Sequence, residues 1–349
     1  MIEVIKPGLF STIQDLGRSG YQRFGVVVGG AMDEMALRLA NRLVGNAETA
    51  AGLEVTLQGP ILRFRDATFI ALTGGQFEVR ANGIRVPYLR PVYIPPETTV
   101  EFRSLDWGAR AYIAIRGGIA VEEVLGSRST YVGAQIGGMD GRPLQRGDLL
   151  PVPSTDPMEH HHELSRVTRV TWVTEGSWMR EQNGLSYPRW FSPDLFLYGG
   201  KKGRQVEGLR VLPGSEWDRF GAPEQAAFLE TKFRVTPAAD RMGARLQGER
   251  IRPTAGDPLI SEAVTHGTVQ LPPDGNPIVL GADRQTTGGD PKIAQGIRAD
   301  WSKLAQLRPG DEIRFTLVTM AEAQESYRGV WRHFELIKRS LVWKGVVQR

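Results

Sequence analysis

Short apolar runs broken every few residues by turn-forming residues constrain this chain more than anything else in it. Strands are expected at 67–72, 76–79, 91–94, 98–102, 111–115, 169–173, 231–235, 268–271, 278–280 and 312–318. Between them stand Ala81-Asn82-Gly83, Pro95-Pro96, Arg146-Gly147-Asp148, Pro273-Asp274-Gly275-Asn276 and Arg308-Pro309-Gly310-Asp311. Each of these short segments supplies the backbone freedom or fixed φ that a tight turn needs. With Gly 41 and Pro 22 in 349 residues, the pattern points to a mostly β fold of barrels or sandwiches rather than a parallel doubly wound sheet. Helical periodicity is confined to two places. Over 32–43, Met35, Leu39 and Leu43 share a face with Asp33 near its start, and a second helix is expected over 327–340.

A chain of this length predicts two domains. The break is placed in the proline-rich stretch Pro151-Val-Pro-Ser-Thr-Asp-Pro, giving a domain over 1–153, a linker over 154–166 and a second domain over 167–349. His160, His161 and His162 fall in that linker, where adjacent side chains diverge, so no metal site is expected of them. Each half carries Gly-Gly, Leu-x-x-Gly-Asp and Asp-x-Met-small-x-Arg-Leu elements, which suggests two related barrels in tandem.

Composition excludes several functions. The formal charge of +4 is too mild to argue for nucleic acid, and no zinc-finger or RNP pattern accompanies it. The absence of cysteine removes disulfides, thiolate metal sites and Cys nucleophiles, and fits a cytoplasmic protein. No apolar run reaches the roughly 18 residues a membrane span requires.

Two polar loops follow apolar strands: Leu125-Gly126-Ser127-Arg128-Ser129-Thr130, and 281–295, which reads Gly-Ala-Asp-Arg-Gln-Thr-Thr-Gly-Gly-Asp-Pro-Lys-Ile-Ala-Gln. Such segments at strand ends commonly bind something. Ser127, Arg128, Ser129 and Thr130 with their backbone N–H groups can receive an anion, as can Arg116 ahead of Gly117-Gly118; either arginine can instead pair with a local acid. No Gly-x-x-x-x-Gly-Lys-Ser/Thr motif is present, so a nucleotide would not be held by a P-loop, and Gly200-Lys-Lys-Gly203 reads as a surface turn. Gln14, Asp15 and Arg18 can orient a substrate carboxylate or pin their own loop. Asp33 can be a general base or a helix cap. Asp283 is the first choice for proton handling or Mg²⁺ contact, with Gln270, Gln285, Thr286, Thr287, Gly288 and Gly289 as binding candidates. His266 is a lone histidine, open to a structural or a catalytic role. His333 is expected to pack or face solvent in its helix.

Thr12-Ile-Gln-Asp-Leu-Gly-Arg-Ser-Gly-Tyr21, Gly30-Ala-Met-Asp33, Arg116-Gly-Gly-Ile119, the 125–130 loop, Gly267-Thr-Val-Gln-Leu-Pro-Pro-Asp-Gly275, Gln285-Thr-Thr-Gly-Gly289 and Ala305-Gln-Leu-Arg-Pro-Gly-Asp311 occur in one order along the chain. Together they resemble the biotin-dependent carboxyltransferase-like family, also called allophanate hydrolase subunit 2. The resemblance implies two cyclophilin-like β-barrels. It implies the C subunit of a bacterial ATP-dependent 5-oxoprolinase, a hydrolase that opens 5-oxo-L-proline to L-glutamate and is inactive without its partners. Those partners are a KipI-like sister (the B subunit) and a lactamase-like A subunit; the nucleotide is ATP, as Mg-ATP. Other members imply a KipA-like antagonist of a histidine-kinase inhibitor, or a carboxyltransferase component for another amide or urea substrate; biotin is expected only on that last reading. The chain departs from the family pattern at Asp290, where a tyrosine is usual, and at Val27, Ala244 and Arg284. The carboxylate at 290 bears most directly on which substrate is bound.

Overall fold

Along Thr68–Ala81 and Thr98–Ile115, two long strands paired antiparallel, buried and less buried residues alternate in one half of each strand, while the other half is buried on both faces. The doubly buried half lies under the helix Glu34–Leu43, whose Ala36 carbonyl accepts the Thr73 hydroxyl at 2.7 Å. Strands covered on both faces read as continuous apolar runs, as Thr-Phe-Ile-Ala-Leu and Ala-Tyr-Ile-Ala-Ile do here. The computed structural model describes residues 1–153, 178–180, 184–192, 208–254 and 259–343. The expected linker over 154–166, its three histidines, the strand over 169–173 and the Gly200–Gly203 turn lie outside the described residues.

The chain divides into two compact units. The first gathers the described residues of Met1–Gly17, Asp33–Leu197 and Arg332–Arg349; the second those of Arg18–Met32 and Tyr198–Trp331. This differs from the single cut expected in the proline-rich stretch, and the reason is specific contacts. In the second unit, Arg241 Nη2 donates to the Gly30 carbonyl at 2.5 Å and Ala282 N donates to Met32 Sδ at 3.3 Å, tying an early segment to a late one. In the first, Lys338 Nζ lies 3.3 Å from Glu48.

The first unit is an 11-stranded, nearly closed antiparallel barrel sheet. Its main path runs Trp178–Arg180, Ser186–Pro188, Val92–Ile94, Thr68–Ala81, Thr98–Ile115, Ile61–Phe64, Ile2–Lys6, Leu149–Leu150, with Phe10–Gln14 and Gly52–Thr56 joined through Thr98–Ile115. Ile13, Leu53, Leu72, Val100 and Ile113 are among the wholly buried side chains of its core. The second unit has an eight-stranded sheet ordered Glu312–Ile313, Phe233–Val235, Gly243–Gln247, Ile278–Leu280, Thr268–Gln270, Lys292–Gly296, Leu209–Pro213, Phe315–Leu317. Its core centres on Phe228, Phe233 and Phe315, the first and last stacked at 4.4 Å. The mostly β, cyclophilin-like barrel class expected of the sequence is the one observed, with four α-helices among the described residues.

Local differences have physical causes. The expected strand over 312–318 is two strands: Glu312–Ile313 pairs with Phe233–Val235, and Phe315–Leu317 runs parallel to Leu209–Pro213. The expected helix over 327–340 begins earlier, at Met320. There Thr319 Oγ1 accepts from Glu322 N at 3.2 Å while Glu322 accepts from Thr319 N at 2.7 Å, a reciprocal capping box.

The most demanding interior contact of the first unit is Tyr112. Its hydroxyl donates to Glu54 Oε2 at 2.7 Å and accepts from Asp33 N at 2.7 Å, all three being buried. Burial, then the charges of Glu54 and Asp33, push the phenol well above its ordinary pKa, so it stays a donor. Tyr112→Phe removes the donor and leaves a carboxylate buried at Glu54. The expected loss is about 1–3 kcal/mol of stability, read by urea denaturation at neutral pH.

Candidate functional site

In the first unit the polar signature folds around Asp15. Its Oδ1 accepts from Ser127 Oγ at 2.6 Å, Ser129 Oγ at 2.6 Å and Gly17 N at 2.8 Å, and its Oδ2 accepts from Arg128 N at 2.6 Å. Asp15 N in turn donates to Ser129 Oγ at 2.9 Å. A carboxylate receiving four donors is committed to holding the 125–130 loop, and both serine hydroxyls are spent on it. Arg128 Nε donates to the Val121 carbonyl at 3.0 Å, and its guanidinium lies 3.2 Å from Glu123, the local pairing that the sequence left open. Gln14 Nε2 donates to Thr12 Oγ1 and to the Thr130 carbonyl, whereas Gln14 Oε1 and Thr130 Oγ1, both buried, have no hydrogen-bond partner among the described residues.

Arg116 lies 5.7 Å over the Phe69 ring. Gly117 N donates to Asn46 Oδ1 at 2.8 Å and Gly118 N to the Ile115 carbonyl, with φ of 86° and 74°, so the pair forms the turn that ends the long strand. Asp33 caps the helix Glu34–Leu43, its Oδ1 accepting from Ala36 N at 3.1 Å.

The second unit holds chemistry that its own structure leaves available. Asp283 is buried and bound bidentately by Arg241, Nε to Oδ2 and Nη2 to Oδ1, both at 2.9 Å. That pairing fixes the carboxylate as an acceptor already used. Fully buried Arg18 donates its backbone N–H to the Val28 carbonyl at 2.8 Å. Both Arg18 and Asp283 approach Gly29, where an added Cβ would stand 3.5 Å from Arg18 Nη1 and 3.6 Å from Asp283 Oδ1.

His266 precedes the strand Thr268–Gln270 and stacks on Trp301, centroids 4.1 Å apart at 15°. Its Nε2 is buried with no hydrogen-bond partner among the described residues; the same holds for Gln270 Nε2 and Arg284 Nε. Burial first, then the charges of Arg284, Arg241 and Arg298, push the imidazole pKa down to about 3. It is therefore neutral at physiological pH and can offer one N–H and one acceptor. Arg284 is pulled below its ordinary value by burial and back up by Asp283, yet a guanidinium stays cationic. Arg298 lies 5.2 Å over the Trp301 ring.

The loop with the glycine pair runs alongside. Gln285 Nε2 reaches Gln270 Oε1 at 3.4 Å, and Thr287–Gly288 pairs with Glu262–Ala263. A Cβ on Gly288 would stand 2.3 Å from Gln270 Nε2, so glycine is what lets that amide in. Thr286 is half-buried, Thr287 and Gly289 are exposed, and neither threonine hydroxyl bonds to a described residue. The structure thus brings Gln270, Gln285 and Gly288 together. Sequence reasoning missed three participants: Arg241, the environment of His266, and buried Lys292, whose Nζ lies 3.3 Å from Glu216 and 3.4 Å from Glu262. Only the Asp-Pro-Lys run after Gly288-Gly289 hinted at the last.

A buried neutral imidazole within the field of three arginines suits an uncharged carbonyl whose oxygen gains negative charge, or a carboxylate. The sign of the His266 effect is fixed. The unfolded chain takes up a proton near 6.5 and the folded one only near 3. Its contribution is complete above the unfolded value and is lost as pH falls through that window. Between pH 7 and 5 the wild type is expected to lose about 2 kcal/mol more than His266→Asn, measured by urea melts of both.

The chain matches the family model described as "Carboxyltransferase domain, subdomain A and B" over residues 24–317. It is 34% identical over 348 residues to the 5-oxoprolinase C subunit of Escherichia coli (strain K12), covering 99% of this chain and 98% of that protein. It is 33% identical over 325 residues to urea amidolyase of Saccharomyces cerevisiae (strain ATCC 204508 / S288c), covering 90% of this chain but 16% of the relative. The crystal structure of Kluyveromyces lactis urea carboxylase superposes with a TM-score of 0.83 at 27% identity, over 100% of this chain and 30% of that one. The chain spans less than a third of those two larger proteins. With the matched span covering residues 24–317 of 349, this chain belongs to the family of carboxyltransferase domains, subdomains A and B.

Proposed function

We propose that this chain is the C subunit of a bacterial ATP-dependent 5-oxoprolinase, opening the lactam of 5-oxo-L-proline to L-glutamate with cleavage of ATP. It works, on this reading, in the cytoplasm with a KipI-like sister (the B subunit) and a lactamase-like A subunit, and turns nothing over alone. The observation that carries the reading is the near end-to-end likeness to the Escherichia coli 5-oxoprolinase C subunit, 34% identical over 99% of this chain.

The second-unit site supports it chemically. The substrate presents a carboxylate and an amide carbonyl; Arg284 and Arg298 supply positive charge, and neutral His266 with Gln270 supplies directional hydrogen bonds. The residues also bear on ATP. Ser127 and Ser129 do not suit its phosphates, because Asp15 holds both hydroxyls. The cations near His266 and the hydroxyls of Thr286 and Thr287 suit an anionic phosphate, and ATP would supply the driving force for opening an unreactive amide.

A second reading, a carboxyltransferase-type component for another amide or urea substrate, is favoured by the likeness to Kluyveromyces lactis urea carboxylase and by Asp290, a carboxylate beside the glycine pair. Glutamate release from 5-oxo-L-proline with ATP, assayed with this chain and both partner subunits and with each omitted, separates the two. Product is expected only in the complete mixture. His266→Ala in an intact complex is expected to lower kcat by about 10²-fold, the scale for loss of one oriented donor. A stable complex with no turnover would sink the oxoprolinase reading.

A further inference from the structure

The first unit contains a cleft of about 490 Å³ that the site described above does not use. Its aromatic walls are Phe77, Tyr88 and Tyr187, and its polar side chains are Gln76, Arg85 and Asp106. The volume lies within the range of roughly 300–1,000 Å³ typical of small-molecule sites.

Two local devices build it. The Asn82-Gly83 turn, with φ of 46° and 86°, folds the chain back so that Arg85 pairs in register with Arg80. On the other side, bulges interrupt the ladder between Thr68–Ala81 and Thr98–Ile115: Gln76 is opposite Trp107 and Phe77 opposite Leu105, so Asp106 is the extra residue between them. Bulges of this kind re-aim a side chain and are frequent beside binding sites. The Tyr88 hydroxyl accepts from Phe77 N at 3.0 Å, which fixes that ring against the cleft. Its pKa is raised, first by burial and further by the charge of Asp106, which places that carboxylate near the ring's polar end.

Charges elsewhere on the same strands are paired: Arg80 with Glu78 at 2.6 Å, and Arg103 with Glu101 at 2.8 Å. Arg85 and Asp106 form no ion pair with a described residue. A cation and an anion left over in one aromatic-walled cleft match a ligand carrying the complementary charges around an apolar ring.

We propose that this cleft binds a small zwitterion with a ring-shaped apolar body, of the class of aromatic α-amino acids. The ligand's carboxylate meets Arg85, its ammonium meets Asp106, and its ring lies against Tyr88 and Tyr187. The cleft shares no residue with the proposed reaction centre and does not depend on that reading.

The test is isothermal titration of the full chain with L-phenylalanine, N-acetyl-L-phenylalanine and L-phenylalaninamide. One saturable site is expected for the amino acid. Arg85→Gln and Asp106→Asn, with thermal melts like the wild type, are each expected to weaken binding by about tenfold, and each blocked analogue to lose a similar factor. No saturable binding up to roughly 10 mM, on the affinity scale of the weakest specific ligands, would overturn the proposal. Binding indifferent to both substitutions, or capture of a short peptide but not of the free amino acid, would overturn it equally.

Discussion

The second unit depends on one buried ion pair, Arg241 with Asp283. Both residues are largely hidden from solvent, and the guanidinium meets the carboxylate through two bonds of 2.9 Å. The same guanidinium donates to the Gly30 carbonyl, and Asp283 N donates to the Arg241 carbonyl at 2.9 Å. The pair therefore joins three stretches distant in sequence: 29–32, 240–243 and 281–284. Removing one partner from such a pair typically costs about 3–5 kcal/mol, because the other charge stays buried without compensation. Arg284 follows Asp283 directly, so the pair also sets where a second cation stands near His266. The resulting positive field, added to burial, keeps that imidazole neutral.

Asp15 and Asp283 look alike as candidate acids and fold to related ends. Asp15 is surrounded by small donors from one loop, which makes it a clamp. Asp283 is neutralised by a cation that also ties in the early segment of the chain. In both, the acceptor oxygens are filled from within the protein. Among the second-unit groups left with unmet hydrogen-bonding capacity are less acidic and less conspicuous ones: an imidazole nitrogen, a glutamine amide and a guanidinium nitrogen.

Much of the fold was legible because strands and turns are local. The Asn82-Gly83 turn, the Ile278–Leu280 strand and the Asp33 cap each depend on a handful of neighbouring residues. Where two expected strands were one, as in Thr98–Ile115, the polar residues Arg103, Ser104 and Asp106 between them are exposed yet lie within the continuous strand. Polarity at those positions reports the solvent face and does not end a strand. The division into units was illegible for a different reason. Residues 18–32 carry no mark in their own composition that they belong with a unit whose remaining residues begin only at 198.

The sequence by itself determined the fold class, the family and the residues from which any site must be drawn, because these follow from local periodicity, turn chemistry and ordered motifs. Only the tertiary structure decided which of those residues are occupied and which are available. Long-range and local pairing engaged the acids Asp15, Asp33 and Asp283 in holding the chain, while burial, reinforced by the charges of Arg284, Arg241 and Arg298, made a lone histidine into a neutral hydrogen-bonding group. Hydrogen-bonding capacity is a property of a residue, but whether it is satisfied is a property of its neighbours in space.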